Sequence, residues 1–148
     1  MSVRPFALTL FLCGCFQDNA PQHSDFLPLD YQNNFQTVRD CRLVAAHNNN
    51  YLKVLANAIA ADPYTTAVYP LPEGSVVVAE HHGGDPACGS VNGYYLMAKQ
   101  QPGYYGGGDD WRWQELDTNQ RVVQDGKLQS CASCHATCAA SDYLCSPP

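Results

Sequence analysis

The spacing of hydrophobic positions changes twice along the chain. Between residues 30 and 47, Phe35, Val38, Cys41 and Val44 recur every third position, with Arg39, Asp40 and Arg42 among them, a spacing that predicts an amphipathic helix. Asn48-Asn49-Asn50 interrupts it as a turn and N-cap. Leu52, Leu55 and Ile59 then predict a second helix over residues 51–61, stopped before Asp62-Pro63. After the turn cluster Pro70-Leu71-Pro72-Glu73-Gly74 the pattern becomes that of strands. Three consecutive valines in residues 75–82 predict a buried strand. In residues 93–99, Tyr95, Met97 and Lys99 share one face and Tyr94, Leu96 and Ala98 the other. Trp111, Trp113 and Glu115 alternate with Arg112, Gln114 and Leu116 as a third strand, and Arg121-Val122-Val123 is a short fourth, closed by Asp125-Gly126. The expected fold is α+β: an antiparallel meander packed on two N-terminal α-helices, with a Cys-rich segment after the last strand.

Length and composition narrow the class. A chain of 148 residues is sized for one domain, and 45% hydrophobic against 15% charged residues describes a globular protein and not a disordered one. A net charge of −6 with only eight Lys and Arg argues against nucleic acid as a partner, because phosphate recognition needs clustered cations. The first residues read as a processing signal: Arg4, then an apolar run from Phe6 to Leu12, then Leu12-Cys13-Gly14-Cys15, which approximates a bacterial lipobox. That run is less than half the ~20 residues a transmembrane helix requires. Residues 1–14 are therefore expected to be a lipoprotein-type signal peptide, Cys15 the lipid site that anchors the chain to a membrane, 15–29 a tether, and 30–148 the folded domain. Plain secretion is the alternative. Both place the domain in the bacterial cell envelope, on the periplasmic side, or outside the cell.

Export gives the eight cysteines meaning. Cys131-Ala132-Ser133-Cys134-His135 is a CxxCH run, in which two thiols can form thioethers to the two vinyl groups of one haem and the adjacent imidazole can bind its iron. With Cys13 in the signal and Cys15 lipidated, Cys41, Cys88, Cys138 and Cys145 remain. An even remainder in an oxidising compartment implies two disulfides, in any of three connectivities. A zinc or iron–sulfur site using Cys138 and Cys145 is the competing assignment, disfavoured because exported thiolates oxidise. A disulfide-stapled structural domain without any cofactor is the third.

Several segments together resemble the cytochrome P-460 family, which includes the beta-type cytochromes c′. They are the Tyr64 and Pro-rich approach, Pro72-Glu73-Gly74-Ser75-Val76-Val77-Val78, Tyr94-Tyr95-Leu96-Met97-Ala98-Lys99, Gly108-Asp109-Asp110-Trp111-Arg112-Trp113 and Cys131 to His135, in order over about residues 30 to 145. The resemblance implies a mostly antiparallel β fold with helices, often homodimeric, with one covalent haem c whose iron is five-coordinate and open on its distal side. It also implies a choice of activities. Some members oxidise hydroxylamine and carry a lysine bonded to the haem edge, and others bind nitric oxide or transfer electrons without that link. Where that lysine is expected, on the strand after Pro72-Glu73-Gly74, this chain has Ala79 followed by Glu80; Lys99 is the other strand lysine, while Lys53 and Lys127 fall in a helix and a turn. The expectation is accordingly gas binding and/or electron transfer with a redox partner protein, ahead of oxidation of hydroxylamine or a related small nitrogen compound.

Cys131, Cys134 and His135 are the expected cofactor-binding residues, with His135 the proximal iron ligand. Met97, His47, His81 and His82 are candidates for the other side of the iron. Packing for Met97 and a solvent-facing strand end for His81 and His82 are the preferred readings. Glu80, Glu115 and Lys99 are the catalytic candidates, the two carboxylates because a distal carboxylate can accept protons. Asp109 and Asp110 are expected to cap a turn, Lys99, Arg112 and Arg121 are candidates for the haem propionates, and Trp111 and Trp113 are expected in the core.

Overall fold

The computed structural model describes residues 22–148. The expected signal peptide, Cys13, Cys15 and most of the tether lie outside the described residues. Six strands, β1 (Gln36–Val44), β2 (Asn50–Ala56), β3 (Val76–His81), β4 (Gly93–Lys99), β5 (Trp111–Leu116) and β6 (Val122–Gly126), are interrupted by the helix α1 (Ala58–Thr65) and followed by α2 (Gln129–His135). The strands form one antiparallel sheet in chain order, so each pairs with its neighbour in sequence. Among the described residues, no helix is long and apolar enough to cross a membrane.

The meander and the strands from β3 onward are as the sequence pattern predicts, except that Asp125-Gly126, expected to turn the chain after the last strand, is paired within β6 opposite Gln114 and Trp113. The two N-terminal helices are not: residues 36–44 and 50–56 are strands β1 and β2. The reason lies in β2. Val54 and Ala56 pack on one side of the sheet and Leu55 on the other, so a strand buried on both faces mimics one apolar stripe of a helix. β1 is an edge strand whose pairing with β2 shifts register on either side of Arg39, which blurs its period of two. Asn48 and Asn49 do turn the chain, with φ of 56° and 54°, the left-handed region that Asn tolerates. Asn57 ends β2 and caps α1, its Oδ1 accepting from the N–H of Ala60 (3.1 Å) and of Val76 (3.1 Å). Asp62-Pro63 does not stop this helix; Pro63 lies inside it and forfeits one backbone bond. The turn into β3 needs Gly74, which has φ of 82° while the Ser75 N–H closes on the Pro72 carbonyl at 3.1 Å.

Directly opposed residues share a face, and the register defines two rows across one side of the sheet. Val54, Ala79, Tyr95 and Glu115 form one; Ala56, Val77, Met97 and Trp113 form the next. Helix α1, helix α2 and the C-terminal tail cover this side, burying Tyr64, Ala132 and Leu144 against Trp111 and Trp113. The segment before β1 covers the other side, where Leu27 and Tyr31 pack on Val78, Tyr94, Leu96 and Leu116. The stretch expected as tether thus includes residues that lie on the sheet: Ser24 Oγ donates to Gln114 Oε1 at 2.5 Å.

Four cysteines pair as Cys41–Cys88 and Cys138–Cys145, one of the three connectivities left open by the sequence. By loop-closure entropy the first, spanning 47 residues, contributes about 4 kcal/mol and the second, spanning 7, about 2 kcal/mol. Peptide mapping without reduction is expected to recover these two pairs, with Cys131 and Cys134 in neither. A linked peptide that joins Cys131 or Cys134 to any of the four would overturn the pairing.

Candidate functional site

Helix α2 carries the CxxCH run. Cys134 and His135 stand three and four residues after Cys131, so all three project from one side of the helix. Ala132, fully buried in the core, and the Tyr105 hydroxyl, which donates to Gln129 Oε1 at 2.8 Å, hold that helix against the rest of the molecule. Cys131 and Cys134 are free thiols, the first half-buried and the second exposed. Burial pushes the Cys131 thiol above its ordinary pKa.

These three residues open on a cleft of about 290 Å³, the scale of a small-ligand site. Its floor is the sheet face that bears Val54, Ala79, Tyr95, Met97 and Trp113, its other wall is α2 with Leu144 and Ser146, and Ala46 and His47 close one end. The lining is predominantly apolar, as a planar hydrophobic ligand requires. His135 is oriented at the rim of this floor: its Nδ1 donates to the Tyr143 carbonyl at 2.7 Å, and the indole of Trp113 lies edge-on with ring centroids 4.8 Å apart. That bond fixes the tautomer and leaves the Nε2 lone pair for a metal. Burial lowers the His135 pKa and so favours the neutral ligating form, opposed by the Tyr143 carbonyl, which favours the protonated one.

Of the expected catalytic candidates, only Glu115 lines the cleft, where Gln124 Nε2 donates to its Oε2 at 3.0 Å. Glu80 is on the opposite face of the sheet. It is buried, accepts from the Tyr31 hydroxyl, and has His82 Nε2 3.4 Å from its other oxygen. Lys99 shares the cleft's face of β4 but sits beyond Trp111, where Nζ donates to Asp142 Oδ1 (2.5 Å), Asp109 Oδ2 (2.9 Å) and the Asp109 carbonyl (2.7 Å). Arg112 also points away, paired with Asp125 and lying 5.1 Å from the Phe26 ring, and Arg121, whose backbone pairs with that of His23, does not line the cleft. Asp110 caps a turn as expected, accepting from the N–H of Tyr105 at 2.7 Å, whereas Asp109 serves Lys99. Trp111 is core, and Trp113 is both core and cleft.

Among the candidates for the other side of an iron, Met97 and His47 line the cleft. His82 is 3% exposed, not a solvent-facing strand end, and its Nδ1 is 2.9 Å from the Ser90 carbonyl. His81 packs on Tyr95. His47 lies tilted against Tyr95 with centroids 4.9 Å apart and edge-on to His135 at 6.2 Å; burial, then the His135 and His81 imidazoles, lower its pKa.

Two residues that carry weight here had no signal in the sequence. Asp142 and Tyr143 both have positive φ, 54° and 64°, and this irregular turn is what brings the Tyr143 carbonyl to His135. The turn is held by the Asp142 carboxylate, which accepts from the Leu71 N–H (2.8 Å), Lys99 Nζ and Trp111 Nε1 (3.1 Å). Burial, reinforced by Asp109 and opposed by Lys99, pushes this carboxyl up to about 6. Arg39, which the sequence pattern marks only as a charged position on β1, reaches the same region: one of its terminal nitrogens donates to Ser146 Oγ at 2.9 Å on the cleft rim, while its Nε is buried without a partner.

A profile of the family described as Cytochrome P460 matches residues 28–146. The chain belongs to the cytochrome P460 family. No curated sequence matches it at a significant level. Membership implies a haem cofactor, and the site fits one. The apolar cleft, the two unpaired thiols and the free Nε2 of His135 meet in one place, and the unpartnered buried donor of Arg39 beside the rim suits an anionic substituent. The zinc or iron–sulfur alternative does not fit this cytochrome P460 chain. Cys138 and Cys145 are joined to each other, and among the described residues no three His, Cys, Asp or Glu side chains converge to hold a metal ion.

Proposed function

We propose that this cytochrome P460 protein is an exported mono-haem c-type cytochrome that binds a small gas such as nitric oxide and/or passes electrons to a partner protein. The observation that carries the reading is the placement of Cys131, Cys134 and His135 on one side of α2, opening on a single apolar cleft, while the other four described cysteines are in disulfides. Cys131 and Cys134, free thiols on one side of α2, would hold the group covalently through two thioethers. His135 Nε2, on a ring kept neutral by burial and aimed by the Tyr143 carbonyl, would ligate the iron. The haem supplies an iron that binds gas and cycles by one electron. Val54, Ala79 and Met97 exclude water around it, and Arg39 neutralises acidic substituents at the rim. Cys15 tethers the domain to the periplasmic side of a membrane, and a second copy of the chain is a candidate partner.

Oxidation of hydroxylamine or a similar nitrogen compound is the second reading, favoured by Glu115, a carboxylate inside the cleft that can accept a proton. Against it, Ala79 occupies the floor where a crosslinking lysine is expected, no lysine lines the cleft among the described residues, and Lys99 is held by two carboxylates. The absorption spectrum of protein made with a c-type maturation system separates the readings. An ordinary c-type spectrum that changes on adding nitric oxide is expected. A markedly red-shifted Soret band would restore the crosslinked oxidoreductase, and no Soret band would refute haem binding.

A further inference from the structure

We propose that the Cys138–Cys145 disulfide positions the imidazole of His135, and that a dithiol which reduces it weakens the bond from that imidazole to the iron. The inference rests on the haem reading above and adds a redox-addressable control of the ligand. The two cysteines stand seven apart in sequence and close residues 138–145 into a ring. Inside that ring lie Asp142 and Tyr143, with φ of 54° and 64°, and the Tyr143 carbonyl that accepts from His135 Nδ1 at 2.7 Å. The ligand and its acceptor are therefore joined by a short covalent path through the disulfide, and Cys145 Sγ itself lies 3.9 Å from the His135 carbonyl.

The ring needs that closure. Two consecutive non-glycine residues in the left-handed region persist only where their surroundings over-determine them. From the inside, the Asp142 carboxylate is fixed by Leu71, Lys99 and Trp111. Within the ring, the Tyr143 N–H donates to the Cys138 carbonyl at 3.0 Å and the Leu144 N–H to the Ser141 carbonyl at 2.9 Å. Beyond Tyr143 the chain follows the cleft wall as Leu144, Cys145 and Ser146, and the disulfide is the covalent tie that returns it toward α2.

Two features separate this disulfide from Cys41–Cys88. Neither Cys41 nor Cys88 lines the cleft, whereas Cys145 does. Cys145 is also exposed and Cys138 only half-buried, so a dithiol reaches the bond from solvent, and accessible disulfides are the labile class. Reduction moves two electrons and two protons: the Cys138–Cys145 bond opens to two thiols while the dithiol closes to its own disulfide. The thioethers are untouched, since they are not disulfides. A carbonyl that accepts from Nδ1 raises the basicity of the ligating Nε2. When the ring opens, that acceptor is held less firmly and the bond to iron softens.

The test follows the iron–histidine stretching band of the ferrous holoprotein by resonance Raman, so that reduction of the iron by the dithiol does not enter. Dithiothreitol is expected to lower the frequency of the wild-type band, reversibly on reoxidation of the thiols, with thiol labelling confirming that Cys138 and Cys145 have been freed. The double variant Cys138→Ser with Cys145→Ser is expected to start at the lowered frequency and to ignore dithiothreitol. Cys41→Ser with Cys88→Ser is expected to keep both the wild-type frequency and its response. An unmoved wild-type band with both thiols labelled overturns the proposal, even if the melting temperature falls, because the disulfide is then a staple alone. Sulfurs that stay unlabelled, or a response that survives the Cys138→Ser and Cys145→Ser changes, overturn it as well. Absence of a Soret band in wild type overturns the haem reading instead.

Discussion

Replacing Cys131 and Cys134 together with Ala is expected to abolish covalent haem retention, read as loss of haem staining on a denaturing gel. The two thiols are the described cysteines outside disulfides, so no other described sulfur can replace them. Each single substitution is expected to leave one thioether and a shifted pyridine haemochrome band. Cys131 is the half-buried member, packed against the core beside Ala132, and Cys134 is exposed. Removing Cys134 is therefore expected to leave the remaining bond well placed, whereas removing Cys131 leaves attachment to a sulfur at the open side of the cleft. The fold should survive either change, because neither side chain bridges two elements by a hydrogen bond or disulfide. Haem retained covalently by the double variant would refute the assignment.

The parts of the site that could be foreseen are those that depend on local spacing. CxxCH needs only three side chains within five residues of a helix, and α2 provides that geometry wherever it docks. Glu115 falls in phase with Trp111 and Trp113, so its face follows theirs into the cleft. Glu80 shows the limit of the same logic. In a run of three consecutive valines both faces of β3 are apolar, and periodicity separates the faces without telling which one meets the cleft. The register decides it: Ala79 opposes Val54 and Tyr95 on the cleft side, and Glu80 opposes Tyr94 on the other, under Tyr31. The fold divided in the same way. β3, β4 and β5 have clear turns and alternation, while β2 hid behind a helical spacing because the sheet is covered on both sides. His47 and Val54 reach the cleft only because β1 and β2 form a hairpin, so their place in the site depended on recognising those strands.

Substituting Asp142 with Ala is expected to lower folding stability by about 3–5 kcal/mol, the range for removing one partner of a buried ion pair. Urea denaturation followed by tryptophan fluorescence measures it. Lys99 is 9% exposed and Asp142 3%, so the ammonium left behind stays buried with Asp109, whose side chain is half-exposed, as its remaining carboxylate. The Leu71 N–H loses its acceptor as well, and Trp111 Nε1 keeps only the bond to the Asp142 carbonyl at 2.9 Å. Lys99→Met is expected to cost less, because Asp142 retains the Leu71 and Trp111 donors and the methionine stem fills the volume beside the indole. The same substitutions separate stability from function. Asp142 lies 43 residues from Lys99 and 71 from Leu71 in sequence, yet it is adjacent to Tyr143, whose carbonyl holds His135. If this carboxylate maintains the left-handed turn at residues 142 and 143, Asp142→Ala also alters the ferric haem spectrum, through a loosened proximal imidazole, whereas Lys99→Met leaves it unchanged. A loss below about 1 kcal/mol, the scale of an exposed ion pair, would show that the network is not the anchor of the C-terminal segment.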